Sequence, residues 1–276
     1  MSAPARTRAA ATTSPGGSGP SIRAGAAAVA ALTARGVNEL VRVPGAAVPG
    51  ILAPTIFMLG LTSVFGSLAA LPGFTSDDYL SFILPVSLLQ GAAFTGAATG
   101  VNLARDIEQG WFDRMLLAPM SRPALLAGTV LSASVRAMLP MTLLIIVGLA
   151  LGASFPGVAG LVLAVGLVAV FAAVAACWGV SLALRFKTQS AAPLMQAGMF
   201  MAVLFTTSYA PLALLSGWLR AVATWNPVTR VLEAIRQGFV TGEITWAITW
   251  PGLAAVAGLG LVLGLFALRS LSRAAE

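Results

Sequence analysis

The sequence predicts an all-α membrane protein with six transmembrane helices. Of its 276 residues, 58% are hydrophobic and only 9% are charged, whereas a soluble domain is roughly 45 to 50% apolar. Apolar runs of twenty or more residues recur along the chain, and each is long enough to cross a hydrocarbon core about 30 Å thick as a helix. Backbone polar groups need partners inside a bilayer, so runs of this length are expected to be helical.

The elements follow in order from composition and periodicity. Residues 1–23, rich in Ser, Thr, Pro and Gly, are interpreted as a disordered cytoplasmic tail. Residues 24–43 place apolar and polar side chains on opposite helical faces, which predicts an amphipathic helix at the membrane interface. Residues 44–276 form the transmembrane domain, with spans predicted at about 46–70, 79–104, 123–151, 156–184, 190–215 and 247–268.

The basic residues predict the orientation of these spans. An even number of spans places both termini on one side, and a cytoplasmic N-terminus puts twelve of the 16 Arg and Lys residues inside and three outside, with Arg136 in a span. Positive charge collects on the cytoplasmic side of membrane proteins, so both termini are expected there. The high ratio of Arg to Lys is typical of a GC-rich bacterial genome and favours a bacterial inner membrane.

The outer segment 216–246 is too polar to span and too apolar to float in water. It predicts a short re-entrant or interfacial pair of helices broken at Asn226-Pro227, because a proline disfavours helix at the residue before it. Its candidate functional residues are Asn226, Pro227, Glu233 and Arg236.

The acids disfavour an ion-driven transporter. None of the nine acids falls in the core of a predicted span, and the chain has no histidine. Proton-driven and sodium-driven transporters generally use an intramembrane carboxylate or histidine, and the same absence disfavours an intramembrane protease or metal site. No glycine-rich nucleotide loop precedes Lys187, and the scattered arginines do not favour nucleic-acid binding. Uphill transport would therefore need a motor bound on the cytoplasmic side.

Charge gathers in the cytoplasmic stretch "RDIEQGWFDRMLLAPMSRP", residues 105–123. It predicts a short helix over Arg105–Leu117 that ends before Pro119, with Trp111 turned toward the membrane or the third span and the charges toward the cytosol. Gly110 would permit close approach of another backbone. By these residues alone, the stretch is either a docking surface for a protein or a solvated loop that obeys topology rules.

Three motifs give this chain a family resemblance. "GWFDRMLLAPMSRPALLAG", residues 110–128, resembles the cytoplasmic loop of type-2 ABC-exporter membrane subunits, and its "DR" and "PMSR" are similar to those of the daunorubicin and doxorubicin exporter permeases. "RVP" at 42–44 with Pro54, and "NPVTRVLEAIRQGFVTG" before the last span, resemble other landmarks of that family. The resemblance covers residues from about 35 to 270.

The resemblance implies a six-helix subunit that dimerises with an identical or related chain and carries amphiphilic cargo such as a drug, an antibiotic or a lipid. Each copy would grip a separate ABC ATPase, so two copies of the ATPase, with their ATP and Mg, would supply the energy. This chain would be no enzyme and hold no cofactor itself; its other partners would be membrane lipids. The implied ATPase-coupling residues are Arg105, Glu108, Gly110, Asp113, Arg114, Pro119 and Arg122, and those of the interfacial helix are Arg35, Glu39 and Arg42.

Arg136 is the one charged residue within a predicted span. It is interpreted either as a side chain that snorkels to the inner leaflet or as part of a gate or substrate path. Two other function classes stay open: a secondary transporter or channel without an intramembrane carboxylate, and a membrane scaffold for an ATPase.

Overall fold

The described part of the protein is built from ten α-helices. The computed structural model describes residues 22–42, 48–74, 76, 78–117 and 121–274. Its α-helices are α1 (Ile22–Arg42), α2 (Val48–Phe65), α3 (Tyr79–Glu108), α4 (Trp111–Leu116), α5 (Arg122–Ala150), α6 (Gly157–Phe186), α7 (Ala192–Leu204), α8 (Gly217–Trp225), α9 (Pro227–Val240) and α10 (Trp246–Ala274). Short 3₁₀ turns at Gly66–Ala70 and Gln189–Ala191 extend α2 and precede α7.

Five helices within the described ranges are long and apolar enough to cross a membrane. They are Gly50–Ala70, Tyr79–Glu108, Arg122–Ala150, Gly157–Phe186 and Trp246–Ala274, and each overlaps a span predicted from the sequence. This is the pattern of a multi-pass membrane protein.

The predicted span 190–215 is not a single helix. α7 ends at Leu204, and residues 205–216 form bends and turns. Thr206 Oγ1 and Ser208 Oγ both donate to the Val203 carbonyl, at 2.6 and 2.7 Å. Such bonds from side chain to backbone compete with the helical ladder, and Pro211 follows a few residues later. The predicted length of this span is therefore wrong.

The core centres on α3, which packs most extensively against α6. In the most apolar stretch of each helix, 89% of the residues are buried in α3, but only 11% in α2 and 17% in α10. Glycines allow the close approach: a Cβ added at Gly100 would clash with the backbone of Gly179, and one at Gly96 with the carbonyl of Ala172. The small pair Gly96 and Gly100 therefore packs helices within one chain.

The bundle has two distinct ends. α10 begins beside α9, where Gln237 Nε2 donates to Thr249 Oγ1 at 2.7 Å, and it ends beside α4, where Leu271 and Phe112 line one small cavity. We call these the α9 end and the α4 end. α1 packs along the first half of α5 at the α4 end.

Candidate functional site

The start of α4 is set by a glycine. Gly110 has φ +70°, a left-handed conformation that costs glycine little and other residues more. The continuous helix predicted over Arg105–Leu117 is wrong, because α3 runs to Glu108 and α4 restarts at Trp111. Apart from its chain neighbours, no described residue lies within 4 Å of a Cβ added at Gly110, so the reason for glycine here is conformational.

A buried phenylalanine anchors α4 to the bundle. Phe112 is 4% exposed and belongs to a core cluster with Leu103, Leu125 and Met195. The sequence predicted that Trp111 faces the membrane or the third span, and with 51% of its surface exposed it does not pack on the third span. Phe112 holds the inward position, so α4 is fixed on one face and leaves Trp111 open on the other.

The charges next to Trp111 also face outward. Asp113, Arg114 and Arg122 are exposed, and the Arg114 guanidinium carbon lies 5.1 Å from the centre of the Trp111 ring. This cation–π contact arranges an aromatic ring and a positive charge on one surface. Leu117 is 85% exposed at the end of α4, so the surface is apolar as well as charged.

α1 lies beside α4 and forms a groove with it. The α1–α4 groove encloses about 370 Å³ and is lined by Ala28, Ala31, Leu32, Arg35, Trp111 and Met115. Arg35 donates to both carboxylate oxygens of Asp106, at 2.8 and 2.7 Å, and to Met115 Sδ at 3.3 Å. α1 reaches this position because Gly128 and Gly36 let it pack on α5: an added Cβ would lie 2.8 Å from Leu32 Cβ or Ser132 Cβ, respectively.

The structure brings Arg105 and Glu108 to the link between α6 and α7. Glu108 accepts three hydrogen bonds from Thr188 and Gln189, and Arg105 Nε donates to Gln189 Oε1 at 3.3 Å. The predictions for Pro119, for residues 1–21 and for the side chains of Glu39 and Arg42 lie outside the described residues.

Arg136 is buried on α5 between α3 and the groove. It donates to Thr99 Oγ1, is 7% exposed and lines a cavity of about 70 Å³ that Asn102 and Asp106 also line. Arg136 thus faces the interior of the bundle, while its role in a substrate path stays a prediction.

A second pocket opens between α2, α3 and α7 in the apolar part of the bundle. This aromatic pocket encloses about 380 Å³ and is lined by Ala53, Phe57, Gln90, Phe94, Pro193, Gln196, Ala197 and Phe200. Phe200 stacks on Phe94 with ring centres 5.8 Å apart and meets Phe57 edge-on at 6.1 Å. Gln90 is 1% exposed, and neither its amide nitrogen nor its amide oxygen has a hydrogen-bond partner among the described residues. A buried, unsatisfied amide is costly unless a ligand or water meets it.

The outer segment breaks where the sequence predicted. α8 ends at Trp225 and α9 begins at Pro227, with Asn226 between them. Asn226 Oδ1 accepts from the Val228 N–H at 3.0 Å, and its Nδ2 donates to the carbonyls of Ala202 and Phe205 at 2.8 and 2.9 Å. Asn226 therefore starts α9 and also satisfies the broken end of α7.

Arg236 and Glu233 have different roles on α9. Arg236 is buried, lies 3.8 Å from the centre of the Phe82 ring and donates to the carbonyls of Phe82 and Thr207 at 3.2 and 2.8 Å. Glu233 makes a surface ion pair with Arg230 at 3.4 Å. Arg236 joins α9 to α3 and to the segment after α7, whereas the Glu233 pair contributes little to stability.

Three glutamines of the candidate sites were not predicted from the sequence. Gln90, Gln189 and Gln196 carry no charge and lie in none of the recognised motifs. A usable signal existed, since Gln90 and Gln196 interrupt long apolar runs, and an amide inside a membrane helix needs a partner.

Comparison with known proteins identifies the family. A model of the ABC-2 type transporter family matches residues 27–240, from the first half of α1 to the end of α9. The chain belongs to the ABC-2 type transporter family. This confirms the predicted resemblance to type-2 ABC-exporter membrane subunits.

Relatives of this ABC-2 protein include drug-resistance permeases. The chain is 29% identical over 204 residues to "Daunorubicin resistance ABC transporter permease protein DrrB1" of Streptomyces coeruleorubidus, covering 68% of this chain and 66%, just under two thirds, of that protein. It is 25% identical over 241 residues to "Probable doxorubicin resistance ABC transporter permease protein DrrC" of Mycobacterium tuberculosis, covering 84% of each chain.

Proposed function

We propose that this chain is the permease subunit of an ATP-driven exporter that moves amphiphilic molecules, such as a drug, an antibiotic or a lipid, out of the cytoplasm or inner leaflet. The observation that supports this proposal is the α1–α4 groove, an apolar groove with exposed Trp111 and Arg114 at its edge on a chain of the ABC-2 family. The partner is a separate ABC ATPase that binds ATP and Mg, in two copies per dimer of permease chains.

The groove suits a protein partner by its chemistry. Its floor is apolar, and its rim carries exposed Trp111 and Arg114. Aromatic and arginine side chains are enriched at protein interfaces. Asp113 and Arg122 add charges of both signs next to it, which favours one orientation of the partner.

A six-crossing topology follows if α7 and the bent segment after it count as one crossing. The chain from Gln189 through α7 begins at the α4 end, where the Gln189 N–H donates to Glu108. It reaches the α9 end at Phe205, whose carbonyl accepts from Asn226. The chain therefore traverses the bundle between α6 and α8. With this crossing α1 and the last turns of α10 lie at the α4 end, and the distribution of Arg and Lys favours this end as the cytoplasmic side, here of a bacterial inner membrane.

The aromatic pocket is the proposed path for cargo. Stacked and edge-on phenylalanines suit a planar apolar body, and the amides of Gln90 and Gln196 supply hydrogen bonds without charge. The exposed apolar face of α2 beside this pocket is available to a second permease copy or to lipid. The relative from Streptomyces coeruleorubidus is named for daunorubicin resistance, so daunorubicin is the first cargo to test.

Co-purification with an ATPase tests the proposal. We expect a tagged chain, co-expressed with a candidate ABC ATPase from the same genome, to retain that ATPase in detergent. Exchanging the charges in the double variant Asp113→Arg, Arg114→Asp keeps the net charge but should reduce retention about tenfold, equivalent to about 1.4 kcal/mol.

The matched control is Glu243→Gln, an exposed acid near the α9 end, which should retain the ATPase as the unmodified chain does. If the unmodified chain retains no ATPase, the proposed function is wrong. If the charge-exchanged variant retains the ATPase as well as the unmodified chain does, the docking role assigned to Asp113 and Arg114 is wrong.

A further inference from the structure

A single carboxylate ties the last turn of α3 to the link between α6 and α7. Glu108 Oε1 accepts from Thr188 Oγ1 at 2.8 Å and from the Gln189 N–H at 2.9 Å, and its Oε2 accepts from Gln189 Nε2 at 2.6 Å. Gln189 Oε1 accepts in turn from Arg105 Nε at 3.3 Å. Both ends of the Gln189 amide are thus held by side chains one turn apart on α3. We call Arg105, Glu108, Thr188 and Gln189 the α3 clip.

The link that the clip holds is short and ordered. α6 ends at Phe186, Lys187 adopts a left-handed conformation with φ 55°, and α7 begins at Ala192. The Thr188 hydroxyl accepts from the Ser190 N–H at 3.3 Å, which fixes the 3₁₀ turn before α7. A displacement of Gln189 is therefore passed directly to the start of α7.

The clip lies between the docking surface and the aromatic pocket. On one side, only Gln109 and Gly110 separate Glu108 from α4. On the other, α7 carries Gln196 and Phe200 of the aromatic pocket within three turns of Gln189.

A second contact gives α7 a pivot. Trp178 Nε1 of α6 donates to the Met195 carbonyl at 3.1 Å, and a Cβ added at Gly198 would lie 2.7 Å from the Trp178 ring. α7 is thus held to α6 by Trp178, and to α3 by the clip at its start and by the stack of Phe200 on Phe94 further along. When the end of α3 moves relative to α6, the clip draws the start of α7 with it, and α7 turns about Trp178 unless the clip breaks.

We propose that Glu108 and Gln189 are positioning residues that transmit movement of α4 to α7 and so change the shape of the aromatic pocket. The proposal rests on the proposed function, because the movement of α4 is driven by the bound ATPase. It assigns to Glu108 an internal role in place of direct contact with the ATPase.

A charge rearrangement within the clip tests this role. Gln189→Glu sets two carboxylates against each other and should break the clip. Adding Glu108→Gln exchanges donor and acceptor, so the double variant should restore the pair and keep the Arg105 contact. Gln189→Ala removes the contact without repulsion and serves as a second breaking variant, and Glu243→Gln is the control.

The measurement is the ATP-dependent distance between spin labels at Leu194→Cys on α7 and Val162→Cys on α6, in the complex with the co-purified ATPase. Both positions are exposed, and the native Cys177 is buried. When the clip is unmodified, addition of ATP with Mg should shift the distribution of distances between the two labels. In the breaking variants the shifted fraction should fall roughly fivefold or more, with ATPase retention and basal hydrolysis unchanged, and the double variant should recover it.

Each other outcome overturns the inference. Loss of the ATPase from the breaking variants would make Glu108 a docking residue, while leaving the proposed function intact. A normal ATP-dependent shift in both breaking variants, no shift with the intact clip, or no recovery in the double variant would each show that the clip does not transmit. If no ATPase is retained by the unmodified chain, the proposed function fails and the inference fails with it.

Discussion

The two ends of α3 are both held by arginines, but in different surroundings. At the α9 end, Arg236 is buried against Phe82 and donates to two carbonyls and the Thr207 hydroxyl. At the α4 end, Arg35 binds Asp106 with a side chain that is 47% exposed. Water weakens the exposed pair, whereas burial makes the loss of either partner costly. The arginine contact at the α9 end therefore holds α3 more firmly than the Arg35–Asp106 pair holds the α4 end.

The largest effect should come from removing the buried arginine. We expect Arg236→Leu to lower the free energy of unfolding by about 3 kcal/mol or more, because the carbonyls of Phe82 and Thr207 lose their donor in a buried site. Thermal unfolding in detergent measures the change. Arg230→Leu, an exposed position on the same helix, should change stability by less than about 0.5 kcal/mol; equal effects at both positions would remove the contrast between the two ends.

A smaller effect is expected at the hinge of the α4 end. Gly110→Ala forces a side chain into a left-handed conformation and should cost about 1 kcal/mol. Gly110→Asn should cost less, because asparagine tolerates this conformation better. Thermal unfolding should rank glycine, asparagine and alanine in that order, and a more stable alanine variant would contradict the assigned backbone geometry.

The smallest effect is expected at the exposed ion pair. Arg35→Gln and Asp106→Asn should each lower stability by about 1 kcal/mol at most, and the difference should shrink as salt is added. A double-mutant cycle isolates the pair itself. A salt-independent coupling as large as the loss in Arg236→Leu would show that the α4 end is as rigid as the α9 end.

The sequence predicted most of the fold because hydrophobic length and helix breakers are local properties. The long helices, the helix at Ile22–Arg42 and the break at Asn226 all follow from residues close in the chain. The bend after α7 was missed because the run from Thr206 to Ser208 is short and uncharged, and its effect depends on hydroxyl groups bonding the backbone.

The candidate sites depend on contacts that composition does not reveal. The sequence located the charged stretch at 105–123, but the partner of Glu108 lies 81 residues later at Gln189. The aromatic pocket likewise combines α2, α3 and α7. Periodicity places a residue on a face of its own helix; it does not say which other helix packs there.

The amide of Asn226 has a consequence for biosynthesis. It donates hydrogen bonds to the carbonyls of Ala202 and Phe205. Both residues are synthesised more than twenty residues before Asn226. Until Asn226 emerges, those carbonyls have only water or lipid headgroups to meet, so the bent segment cannot settle in hydrocarbon by itself. This part of the chain should therefore enter the bilayer together with the helical hairpin that follows, after the earlier helices are already in place.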